Sequence, residues 1–122
     1  MPRARIVRQC GEGVAFEPFG RWGHLKKCES KSLGQLLDEF AHVRTENLSE
    51  LRGWSLRRED LARCGRHPAL GAVTLSELLA AWAAHDLDHL HQISRTMAHQ
   101  RREAVGPWSV YLGVLQCQAH GA

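Results

Sequence analysis

The sequence predicts an all-α domain of the helical-bundle type, and three observations carry that expectation. Two long stretches, 32–53 and 74–101, space their apolar residues at helical intervals. Each is opened by a capping-box pair, Ser32 with Gln35 and Thr74 with Glu77. No segment alternates apolar and polar residues for long enough to suggest a sheet.

Met1 to Gln9 reads as the end of a helix or a frayed arm. Gly11, Gly13, Pro18, Gly20 and Gly23 then interrupt the chain, with Val14, Phe16, Phe19 and Trp22 as apolar anchors. Residues 10–31 are therefore expected to be an irregular loop packed against the bundle, longer than most connections in compact domains. The first long helix, 32–53, carries Leu33, Leu36, Leu37, Phe40, Val43, Leu48 and Leu51 on a stripe that ends at Gly53. His42 lies off that stripe and is expected in solvent. Arg57 to Cys64 reads as a short helix stopped by Gly65, and Arg66 to Gly71 as a turn that His67 shapes ahead of Pro68. The second long helix, 74–101, is the longest. Gly106-Pro107 closes that region, Trp108 to Leu115 reads as a last short helix, and 116–122 as a loose tail. Two long helices cannot close a core by themselves, so the N-terminal segment or another chain must complete it.

Length and composition fit one small domain, 1–122. With 122 residues, 43% apolar and 24% charged, the chain can bury a core but not two. No run approaches a membrane span, and no apolar segment follows the basic start, so no membrane partner and a cytoplasmic location are expected. The formal charge of +3 is mild and is not gathered on one helical face. A nucleic-acid partner is therefore not expected; it would show as steeply salt-dependent association. Cys10, Cys28, Cys64 and Cys117 are widely spaced and contain no Cys-x-x-Cys pair, which suits reduced packing or surface thiols.

The chemistry-bearing feature is the segment Trp82 to Ile93. Leu75, Leu78, Leu79, Trp82 and Ile93 fall on one side of the helix, and His85 and His89 point to that same side one turn apart. Two imidazoles so placed can reach a single cation such as Zn, Ni, Fe or Mn. Asp86 sits at the stripe's edge, where it could accept an imidazole N–H and orient the ring. Asp88 and His91 face away. The alternative is a pair of buried polar groups, hydrogen-bonded to neighbouring carbonyls or to Asp86. No glutamate stands between the histidines, so a His-Glu-x-x-His zinc protease is not indicated. His24, His91, His99 and His120 are expected outside the site. Arg95, His99, Arg101 and Arg102 read as a solvated helix end favoured by the macrodipole.

The run from Arg66-His67-Pro68 through Trp82, His85, Asp86 and His89 resembles the DinB-like superfamily. So do Gln92-Ile-Ser-Arg95, Glu103-Ala-Val-Gly-Pro107-Trp108, Phe16-Glu-Pro-Phe19, Lys31-Ser-Leu and Leu37-Asp-Glu-Phe40. The resemblance implies a four-helix bundle, often dimeric, with a divalent metal held by three histidines. The family's pair on its third helix maps onto His85 and His89. Members with known activity are thiol-dependent transferases and isomerases or metal-dependent hydrolases. In the family the remaining histidine comes from upstream of the Phe16-Glu-Pro-Phe19 segment. The expectation is thus an N-terminally truncated bundle with a partial, weak or absent divalent-metal site. A small-molecule or thiol substrate is the expected ligand. The competing expectation is a non-enzymatic helical interaction module that completes its core as a homodimer.

Overall fold

The structure, a computed structural model, describes residues 1–18, 20, 23 and 28–117. The expectations placed on Phe19, Trp22, His24, His120 and the tail beyond Cys117 lie outside the described residues. Two compact units are formed, Met1–Leu79 and Ala80–Ala122.

In the first unit, the segment read as a helix end or frayed arm is a regular helix, α1 (Pro2–Cys10). Pro2 starts it where a missing N–H is harmless. A single 3-10 turn follows at Gly11–Gly13, entered by Gly11 at φ 58°. Helix α2 (Leu33–Gly53) begins at the expected capping box: Ser32 Oγ accepts from Gln35 N–H at 3.2 Å, and Gln35 Oε1 accepts from Ser32 N–H at 2.8 Å. It runs through Gly53, and Ser55 beyond it takes a left-handed φ of 49°. Helix α3 is one turn, Arg58–Leu61, with the Asp60 carboxylate accepting the Arg57 N–H at 3.0 Å.

Two strands follow where a helix end and a turn were expected. β1 (Cys64–His67) pairs antiparallel with β2 (Gly71–Thr74), in the register Cys64 to Thr74 and His67 to Gly71. The chain is mostly helical, and this hairpin is the exception to the all-α reading. Its turn is built as the sequence suggested: His67 Nδ1 accepts the N–H groups of Ala69 and Leu70, both at 3.2 Å, and Gly71 closes it at φ 75°. Gly65 does not stop a helix. It is a buried strand residue against which Val7 and Phe16 pack.

The core of this unit is Ala4, Val7, Phe16 and Leu75, flanked by Met1, Ile6, Trp54, Leu56, Val73, Leu78 and Leu79. The N-terminal segment therefore supplies the covering layer that two long helices alone could not. Phe16, on the stretch expected to be irregular, is fixed by its N–H donating to Arg66 C=O at 2.9 Å and by the parallel bridge of Ala15 to Arg66. Polar ties hold α1 to the second half of α2. Arg5 makes two 2.6 Å hydrogen bonds to the Glu50 carboxylate, and Arg8 lies over the Trp54 ring at 5.2 Å.

Helix α4 (Leu75–His99) starts in the first unit at its own capping box and ends two residues short of the expected Arg101. Glu77 N–H donates to Thr74 Oγ1 at 3.1 Å, and the Glu77 carboxylate accepts from Thr74 N–H at 2.7 Å and from its hydroxyl at 2.9 Å. In the second unit α4 is followed by α5 (Arg102–Val105), a 3-10 segment at Gly106–Tyr111 and α6 (Gly113–Gln116), where one short helix over 108–115 was expected. Leu115 is buried, and Gln116 donates its side-chain amide to Ser109 C=O at 2.8 Å.

Candidate metal centre

Helix α4 sets the spacing of the candidate site. His85 and His89 are four residues apart, so their side chains stack along one face. Their ring centroids lie 4.3 Å apart with an interplanar angle of 84°, edge to face. Two nitrogens on one zinc ion, each at ~2.0–2.1 Å, can be at most about 4 Å apart, so one ion would need a nitrogen of each ring to turn toward the other. Both rings are solvent-exposed, whereas Trp82 and Asp86 are half-buried. Exposure corrects one part of the sequence argument: these histidines bear no large desolvation cost that a metal or a buried partner must offset. It leaves both rings accessible from solvent.

The ring of His89 is tied on one side. Its Nδ1 lies 3.1 Å from Gln92 Oε1, and Gln92 Nε2 donates to Asp88 Oδ2 at 3.0 Å. In the sequence Gln92 stands out only as part of the family resemblance and not as a site residue. The signal was present as spacing: Asp88 and Gln92 stand at i,i+4, and His89 and Gln92 at i,i+3, both neighbour positions on a helix. An open, mostly apolar depression adjoins the same ring, lined by His89, Gln92, Ile93, Thr96 and Met97.

Among the described residues, no group of three or more His, Cys, Asp or Glu side chains is placed to hold a metal ion. The structure thus brings together the two predicted histidines and no third ligand within the described part. The donor set still suits a borderline cation, since imidazoles are ligands that Zn, Ni and Fe accept. His67 is engaged in its turn, His42 lies 3.4 Å from Glu46, and His91 and His99 are exposed. Arg95 departs from the solvated helix end expected of it, because its Nε is buried without a hydrogen-bond partner. The four cysteines are free thiols, Cys10 and Cys117 exposed, Cys28 and Cys64 half-buried.

The described residues form mostly helical elements with one two-stranded sheet and an exposed histidine pair on the longest helix. A family model for the DinB superfamily matches residues 3–93, about three quarters of the chain, and the chain belongs to that superfamily. The matched range includes His85, His89 and Gln92. Superfamily members commonly bind metal. Comparison with curated proteins returns no match. Among the described residues, no helix is long and apolar enough to cross a membrane.

Proposed function

We propose that this DinB-superfamily protein uses His85 and His89 as two imidazole ligands for a divalent cation. The remaining coordination positions are left to water, to substrate or to a group beyond the pair. The observation that carries the proposal is the 4.3 Å approach of two exposed rings on adjacent turns of α4. When bound, the cation supplies Lewis acidity that draws the pKa of a thiol or of water toward neutrality. That chemistry suits thiol-dependent transfer or isomerisation, or hydrolysis. In this reading the protein's own contribution is to hold two neutral rings in register, to fix the His89 ring through Gln92, and to offer Ile93 and Met97 as apolar footing for a small substrate. Asp86, half-buried beside His85, remains a candidate orienting group.

Isothermal titration with Zn²⁺ and Ni²⁺ tests the proposal. Wild type is expected to bind, weakly for a two-ligand site, and His85→Ala and His89→Ala each to abolish the heat. Equal and negligible binding by all three would remove the metal from the account.

A second reading, a homodimeric interaction module, is favoured by a different observation. No residue of α2 is buried, and Leu33, Leu37, Phe40 and Val43, at helical spacing, are 51–73% exposed. Along α4, Leu87, Leu90, Ile93 and Met97 are 57–68% exposed. Apolar stripes of this length usually meet a partner, and a second copy of the chain could present the same surface by two-fold symmetry. Sedimentation at several concentrations is expected to show a dimer that Phe40→Glu dissociates. A wild-type monomer throughout the micromolar range argues against this reading.

A further inference from the structure

We propose that Gln92, itself oriented by Asp88, is a positioning residue that sets the tautomer of His89 and presents Nε2 outward as the ligating nitrogen. The proposal rests on the metal reading for its purpose, but the tautomer is a property of the metal-free chain. The argument starts at Asp88, whose ionised carboxylate can only accept hydrogen bonds. The Gln92 side-chain atom 3.0 Å from Asp88 Oδ2 must therefore be the amide nitrogen. That fixes the other end of the amide as oxygen, 3.1 Å from His89 Nδ1. An oxygen acceptor requires Nδ1 to carry the proton, and a neutral imidazole protonated at Nδ1 keeps its lone pair on Nε2. A chain of three side chains on one helical face thus decides which nitrogen is free. Metal-binding histidines are commonly oriented in this way by an acceptor on the opposite ring nitrogen. At His89 Nδ1 that acceptor is the side-chain amide oxygen of Gln92.

Long-range ¹H–¹⁵N spectra of the metal-free full-length chain, about two units above the ordinary imidazole pKa of ~6.5, read the tautomer directly. The ratio of the Nδ1–H to the Nε2–H form of His89 is expected to be about 2- to 10-fold higher in wild type than in Gln92→Leu, the range one net hydrogen bond gives. Asp88→Asn, which frees the amide to flip, is expected to lower that ratio without touching Gln92. The exchanged pair Asp88→Asn with Gln92→Glu should restore it, because an asparagine amide at 88 can donate to a carboxylate at 92 that still accepts from Nδ1–H. All three positions involved, 88, 89 and 92, are exposed, so the helix itself should be unaffected, as circular dichroism would check. Titration with Zn²⁺ alone is expected to show affinity lowered about tenfold in Gln92→Leu, at the low end of the usual effect of an outer hydrogen-bond partner. A tautomer ratio that Gln92→Leu leaves unchanged, or shifts toward Nδ1–H, overturns the proposal even if zinc binds. Zinc failing to bind wild type removes the metal reading, while the tautomer ratio still decides the role of Gln92.

Discussion

At the scale of single residues, Gly65 shows how a local signal can be read in the wrong sense. A glycine after Arg57 to Cys64 looks like a helix stop, because glycine so often follows the last helical turn. The structure uses its missing side chain instead. A Cβ built there would lie 2.6 Å from Val7 Cγ2 and 2.8 Å from Phe16 Cζ, both fully or almost fully buried. The segments that press on Gly65 lie about 50 residues or more before it in the sequence, so periodicity could not reveal them. Gly65→Ala is therefore expected to destabilise the protein by about 1–3 kcal/mol through overpacking. Urea unfolding measures this, and a loss of a few tenths would mean that Val7 and Phe16 can step aside. His67 is the opposite case. Its place before Pro68 pointed to a turn role, and its Nδ1 accepts two backbone N–H groups there. His85 and His89 were legible as a pair, because i,i+4 spacing alone places them together. Their exposure was not, since it depends on what covers α4.

At the scale of elements, helix starts were the most legible feature, because a capping box is closed within four residues. Ser32 with Gln35 and Thr74 with Glu77 both form as the sequence indicated. The hairpin was not legible. Cys64-Gly-Arg-His67 has no alternation, and a glycine in a four-residue strand lowers any strand signal. It forms because its backbone is paired on both sides of the turn and because Leu75 N–H donates to Arg63 C=O at 2.8 Å, closing the end of the hairpin. Thr74 belongs to both elements at once, as the last strand residue and the N-cap of α4. Thr74→Ala removes the acceptor for Glu77 N–H and the hydroxyl donor to its carboxylate, with an expected loss of about 1 kcal/mol. Thr74→Ser, which keeps the hydroxyl, should retain most of it. Thermal unfolding of the two variants side by side would separate the cap from the strand residue, since loss of the β-branched side chain alone would lower both equally.

At the scale of the molecule, which apolar faces are covered could not be read from the stripes themselves. The 32–53 stripe is as regular as a core-facing helix should be, yet the core belongs to Ala4, Val7, Phe16 and Leu75. What ties the first unit together is partly ionic, and that gives its stability a pH dependence. Glu50 is held below the ordinary carboxylate range by its hydrogen bonds from Arg5, Asp60 by the Arg57 N–H, and Glu77 by the Thr74 N–H. A carboxylate whose pKa is lower folded than unfolded stabilises the fold at any pH above its unfolded value. That contribution falls away as protonation proceeds from the unfolded pKa down through the folded one. The unfolded values are 4.5 for the two glutamates and 3.8 for the aspartate, so the loss should begin below about pH 4.5 and deepen toward pH 3. Glu77 is exposed and Glu50 and Asp60 are only half-buried, so solvent screens all three and the slope should be shallow and weaker in high salt. Urea midpoints at neutral pH, near pH 4.5 and near pH 3, followed through tryptophan fluorescence, are expected to fall mainly over the last interval. Glu50→Gln should flatten part of that fall, because the variant has already lost the charge that Arg5 holds in α1. A wild-type midpoint that stays level to pH 3 would mean that these ties shift proton affinities without supporting the fold.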